Sequence, residues 1–196
     1  MKQGAATKRG QAKREALVQA AAELFWTRGY EASSLADIAE AARVPLGNVY
    51  YYFKTKGDLA GAVGDLFVHQ TETLIEEVRA ETPEPRQRLR LLVARLKSGQ
   101  QSRVRQGCPI YAATRDLRRT LPERADRAAE SFSLLTGFIA TELGRTGSRP
   151  SIALSRARAA IADWQGSIAL AHALGEPPVL AECFARMERT LGVAAA

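Results

Sequence analysis

The stretch from Ser33 to Lys56, SSLADIAEAARVPLGNVYYYFKTK, constrains the fold more than any other part of the chain. Ser34 followed by Asp37 is a capping box, which satisfies backbone donors left open at a helix start. Leu35, Ile38, Ala39 and Ala42 then recur at the i, i+3, i+4, i+7 spacing of one helical face. Arg43-Val44-Pro45 breaks that pattern, because proline has no N–H and disfavours helix in the residue before it. Leu46, Val49, Tyr50 and Phe53 carry an apolar face into a second short helix. Two short helices about a three-residue turn outline a helix-turn-helix, whose second helix enters the DNA major groove.

Residue chemistry favours that reading over two helices that merely pack. Gly47 permits close approach, Asn48 pairs with base edges, and tyrosine hydroxyls reach phosphates. A second capping box, Thr55 with Asp58, starts the next helix and puts Lys56 in its first turn. A cation beside open backbone N–H groups there suits one phosphate.

With an amphipathic helix ending at Gly29-Tyr30, then SLADIAEAARV, then Tyr50 to Phe53 and Lys56, the first sixty residues or so resemble a TetR-type transcriptional repressor. The string departs from that pattern at two positions. Arg43 stands at a turn position where such proteins usually have glycine, and Pro45 stands where a serine or threonine commonly caps the recognition helix. The resemblance implies base contacts from Leu46, Gly47 and Asn48. It implies phosphate contacts from Ser33, Ser34, Tyr50, Tyr51 and Lys56. The partner it implies is a pseudo-palindromic double-stranded operator.

The chain has 196 residues, 46% of them apolar, and a formal net charge of +7. Lys2, Lys8, Arg9, Lys13 and Arg14 form a basic N-terminal arm, a composition suited to nucleic acid. No apolar run approaches the roughly 18 residues that span a bilayer, and no signal-peptide core follows the start, so a cytoplasmic, membrane-free protein is expected. Two cysteines are too few for a disulfide scaffold. No glycine-rich phosphate loop, nucleophile elbow or metal-ligand spacing is present, and His69 and His172 stand far apart. No enzyme, cofactor or metal is expected.

Every strong periodicity is helical. An all-α fold of about nine helices is predicted: a three-helix DNA-binding domain over 1–55, then a ligand-binding and dimerisation domain over 56–196. The fourth helix starts at Lys56 and runs to about Ala80. A fifth reaches about Arg105, and Gly107-Cys108-Pro109 is a break. The last two helices carry small residues such as Ala153, Ala157 and Ala160, then the apolar stripe Leu180, Cys183, Phe184 and Met187. They are apolar around more of their circumference than one packing partner needs. The resemblance implies a homodimer through these two helices.

It also implies a small-molecule inducer bound within the second domain. Phe67, Cys108, Tyr111, Phe132, Asp163, Trp164, Ile168 and His172 are the candidate lining residues, although ordinary core is the favoured reading for each aromatic taken singly. Cys108 follows a basic run containing Arg103 and Arg105, which suits either a small apolar filler or a reactive thiol. Two alternatives therefore stand beside a ligand-released repressor. One is a sequence-nonspecific architectural DNA-binding protein; the other is an electrophile-sensing repressor acting through Cys108.

Overall fold

The computed structural model describes residues 8–194, and every regular element among them is an α-helix. In order these are α1 (Lys8–Thr27), α2 (Leu35–Ala41), α3 (Leu46–Tyr52), α4 (Lys56–Glu81) and α5 (Pro85–Ser98). There follow α6 (Gln100–Gln106), α7 (Pro109–Thr120), α8 (Pro122–Arg145), α9 (Pro150–Leu174) and α10 (Pro177–Leu191). The all-α class is as expected. The single helix expected to reach Arg105 is divided at Gly99, which gives ten helices among the described residues.

Proline opens five of these helices, α5, α7, α8, α9 and α10. Its fixed φ suits the first turn, and its missing N–H costs nothing there. Left-handed glycines close two of them: Gly175 after α9, with φ 70°, and Gly192 after α10, with φ 71°.

Packing groups the chain into two compact units. Among the described residues, one comprises those up to Phe67 with Ile110–Ala128; the other comprises Val68–Pro109 with those from Ala129 onward. Sequence reading divides the chain after residue 55, whereas the packing boundaries fall inside α4 and α8. The reason is burial. Leu59, Ala60, Val63 and Phe67 of α4, with Ala113 and Leu117 of α7, belong to the same apolar cluster as Leu17, Ala21 and Phe25 of α1. Each large apolar side chain so buried contributes about 1.5–3 kcal/mol.

In the first unit α1 buries Leu17, Val18, Ala21, Leu24 and Phe25. Ile38 and Ala39 of α2 and Val49 of α3 close over them. The chain leaves α1 through Gly29, whose φ of 91° favours glycine. Asp116 of α7 then accepts a hydrogen bond from Tyr30 N at 3.2 Å and fixes the loop before α2.

Arg43, in the turn between α2 and α3, is the one described non-glycine residue with positive φ, at 54°. Arg43 N donates to Glu40 O at 3.0 Å and Val44 N to Ala39 O at 2.9 Å, so the turn is held from both sides. Left-handed backbone costs an ordinary residue about 1–2 kcal/mol. Glycine loses that cost and takes on the larger entropy of its unfolded chain, about 0.4–1 kcal/mol. Arg43→Gly is therefore expected to raise the urea midpoint by the equivalent of about 0.5–1 kcal/mol. A lower midpoint would show that the arginine side chain itself braces the turn.

In the second unit α9 packs along α10. Ala153, Ala157, Ala160, Ile161, Trp164, Ile168 and Ala171 of α9 are buried, as are Leu180, Cys183, Phe184, Met187 and Leu191 of α10. Glu142 of α8 is a carboxylate whose side chain is only 2% exposed; Arg88 at 3.3 Å and Arg145 at 3.1 Å neutralise it. Arg95 of α5 also pairs with Glu81 at the end of α4. Among the described residues no helix is long and apolar enough to cross a membrane.

Candidate nucleic-acid interface

Both capping boxes form. Ser34 Oγ accepts from Asp37 N at 3.1 Å, and Asp37 Oδ2 accepts from Ser34 N at 2.8 Å and from Ser34 Oγ at 2.6 Å. Those bonds from Ser34 hold the Asp37 carboxyl below the usual carboxylate range. Asp58 N donates to Thr55 Oγ1 at 3.0 Å, and Thr55 N donates to Asp58 Oδ2 at 3.1 Å. These caps fix where α2 and α4 begin, and so what lies on either side of α3.

The helix α3 is half in the core. Val49 is fully buried and Phe53, just past its end, nearly so. Its other face is open: Leu46, Gly47, Asn48, Tyr50 and Tyr51 are all exposed, Tyr51 by 79%. A protruding, solvent-facing tyrosine beside an exposed leucine is unusual for a helix that serves packing alone. Pro45 is the N-cap of α3 and offers no side-chain bond, so its first amides stay available. Arg43 and Lys54, both exposed, flank this face, and Lys8 and Arg9 are exposed at the start of α1. Lys2 of the basic arm lies outside the described residues.

Two of the expected phosphate contacts are engaged internally. Ser33 is fully buried, and its Oγ donates to Gly29 O at 2.8 Å. Lys56 Nζ donates to Tyr30 O at 2.9 Å, Ser33 O at 3.0 Å and Glu31 O at 3.3 Å, and sits 4.4 Å from the centre of the Tyr30 ring. An ammonium has three N–H donors. Here three carbonyls use them, so Lys56 ties the start of α4 to the loop that precedes α2.

Residues 17–63, which hold this whole arrangement, match the family model of bacterial regulatory proteins of the tetR family. Over residues 17–63 the chain is similar to the TetR family. The HTH-type transcriptional repressor ComR of Escherichia coli (strain K12) is 36% identical over 75 residues, which is 35% of this chain and 36% of ComR. An uncharacterized HTH-type transcriptional regulator from the lacX 3' region of Lactococcus lactis subsp. lactis is 26% identical over 170 residues, covering 80% of this chain and 82% of that one. That longer match apart, the chain spans about a third of the length of the first curated relatives it matches. A TetR transcriptional regulator from Legionella pneumophila superposes with a TM-score of 0.81 at 20% identity, covering 90% of this chain and 96% of that one. At that identity the likeness is one of fold.

The interior candidates divide between the two units. Phe67 is buried in the first unit, while Tyr111 of the same unit is 54% exposed. In the second unit Phe132 is half-buried, Ile168 is buried, and His172 is exposed with its Nδ1 3.0 Å from Val104 O. Trp164 is buried under the guanidinium of Arg103, 5.2 Å from its ring centre. Cys108 is 5% exposed and lies close enough to Arg103 to favour its charge.

Asp163 meets a partner that its own helix does not show. Arg186 of α10 donates to it through Nε at 3.0 Å and Nη2 at 2.9 Å, and Nη2 also donates to Ser167 Oγ at 3.0 Å. Hydrogen bonds from Arg186 hold the Asp163 carboxyl below its usual range. Burial pushes the nearby Cys183 thiol up. The Asp163 and Arg186 side chains are 35% and 41% exposed, so solvent screens much of this pair. Asp163→Asn is expected to cost about 0.5–1 kcal/mol at neutral pH. A depressed carboxylate stabilises the fold above its unfolded pKa, near 3.9, and that stability is lost as pH falls through the folded value. The gap in melting temperature between the two proteins should therefore start to close as pH falls below about 4. A gap that does not narrow at all between about pH 5 and about pH 2 would contradict the assignment.

Sequence reading missed Arg186, Asp116 and Arg103 as partners. Arg186 carries the one available signal, a basic residue beside the apolar stripe of α10.

Proposed function

We propose that this protein regulates transcription as a homodimer. Two copies of α3 read the half-sites of a pseudo-palindromic operator, and a small molecule bound within the second unit releases the DNA. The exposed face of α3, with Leu46, Asn48, Tyr50 and Tyr51 outward on a helix anchored by Val49 and Phe53, carries this reading. ComR, 36% identical over 75 residues, is itself named as a repressor. The outward face of α9, the first of the last two helices, suits the dimer. Ile152, Leu154, Leu170 and Leu174 of α9 are exposed apolar side chains, and Ala159, Ala162, Gly166 and Ala169 lie open between them.

Selection of bound sequences from random DNA tests the proposal. Expected is one enriched pseudo-palindrome with half-sites one turn apart, about 34–36 Å. Binding should exceed that of random DNA by about 10³ or more and fall with salt at a log–log slope of roughly −5 to −9. Binding without an enriched sequence would replace this reading with that of an architectural DNA-binding protein.

A further inference from the structure

Arg103, a half-buried cation of the second unit, has no ion-pair partner among the described residues. Arg103 of α6 donates through Nη1 to Leu96 O at 3.2 Å and stacks on Trp164 of α9. Among the described residues no acceptor meets its Nε, which is closed to solvent, and none meets the equally closed indole Nε1 of Trp164. No carboxylate among them pairs with Arg103, whereas the buried Glu142 of the same unit has two arginines. Burial pushes the Arg103 guanidinium below its usual range. Buried donors almost always find partners, and a dehydrated cation is costly without an anion. Here two N–H groups without acceptors stand on different helices that meet through the Arg103–Trp164 stack, one of them on a cation.

We propose that Arg103 and Trp164 form the anchoring end of a site for a small molecule bearing a carboxylate. A carboxylate accepts from a guanidinium in its plane and has lone pairs left for an indole N–H, which a neutral amide matches less well. The apolar neighbours on α9, Ile161 and Ile168, suit an organic acid rather than a bare inorganic anion. Entry requires α6 to move. It is a single helix of seven residues between Gly99 and Gly107, with no side-chain bond at its N-cap, and short helices of this kind open at low cost. Gly99 is needed closed as well as open: a Cβ there would lie 1.9 Å from Arg103 Nη1. The effector role of this acid rests on the function proposed above; its binding does not.

Calorimetric titration of the full chain with benzoate, phenylacetate and hexanoate, each beside its primary amide, tests the site. At least one acid should bind saturably, and its amide at least about tenfold more weakly. Arg103→Met and Trp164→Phe should each weaken the acid by about tenfold or more, a loss of about 1.4 kcal/mol. Arg103→Lys, which keeps the charge but loses the fork, should fall between. Equal binding of acid and amide, binding unchanged in either variant, or no saturable acid overturns the proposal. If Arg103→Met does not fold, Trp164→Phe, which keeps the ring, decides alone. Operator release is read separately by gel shift. An acid that binds through Arg103 and leaves DNA bound overturns ligand release while the site stands.

Discussion

Lys56→Met should destabilise the first unit by about 3 kcal/mol and lower the melting temperature by roughly 6–12 °C. Methionine keeps the apolar stem and removes the ammonium. Three carbonyls, of Tyr30, Glu31 and Ser33, then lose a charged donor. The cation also leaves the Tyr30 ring, which packs edge-on against Phe25 at 5.2 Å. Each charge-assisted bond contributes about 1.5–3 kcal/mol when shielded. Partial exposure and water reaching the freed carbonyls bring the total down. Lys54→Met is the control: its Nζ makes one exposed bond, to Tyr50 O at 3.0 Å, and a change within about 0.5 kcal/mol is expected. DNA binding separates the two roles open to Lys56. A phosphate contact contributes about one unit to the salt slope, so its loss would flatten the slope by that much. A clamp that only positions the loop before α2 lowers affinity and leaves the slope unchanged, which is the expected result. Wild-type stability with a flatter slope would reverse the assignment.

Most of the helix-turn-helix segment was legible because its signals are local. The capping boxes at Ser34–Asp37 and Thr55–Asp58, the proline at 45 and the 3.6-residue apolar period act within one helical turn, and each forms as read. What the sequence hid depends on partners far along the chain. Lys56 resembles a phosphate hand until the carbonyls of residues 30, 31 and 33 surround it. Ser33 looks like a polar surface residue until Gly29 O accepts its hydroxyl proton in the core. That α7 belongs with the N-terminal helices rests on Leu117 joining a distant apolar cluster and on Asp116 reaching Tyr30, 86 residues away in sequence. Gly99 divides a helix, yet a lone glycine in a periodic stretch gives no warning of it. The second unit was harder still. Aromatic residues on apolar faces look alike whether they pack or bind, and Trp164 stands out only through the unpaired cation stacked on it.

Gly166→Glu should convert a dimer to a monomer without harming the monomer. Gly166 is exposed in the middle of α9, and a Cβ there meets nothing within 4 Å. Replacing glycine inside a helix adds about 0.5–1 kcal/mol of helix stability. A single chain therefore gains slightly. If the outward face of α9 is the seam between two copies, the same change puts a carboxylate at a close approach of helices. Two copies related by a two-fold axis would place both charges near that axis, dehydrated and without partners. Sedimentation should show a monomer at micromolar concentration, with a melting temperature that no longer depends on protein concentration. Operator affinity should fall by at least about 10²-fold, because one α3 reads only one half-site. Gly47→Glu is the complement. Gly47 lies exposed on α3, and its Cβ also meets nothing within 4 Å, so that variant should stay dimeric and stable and lose DNA binding through charge repulsion by phosphates. The two variants thus isolate the two surfaces. A Gly166→Glu protein that remained dimeric and bound operator normally would move the seam off this face of α9.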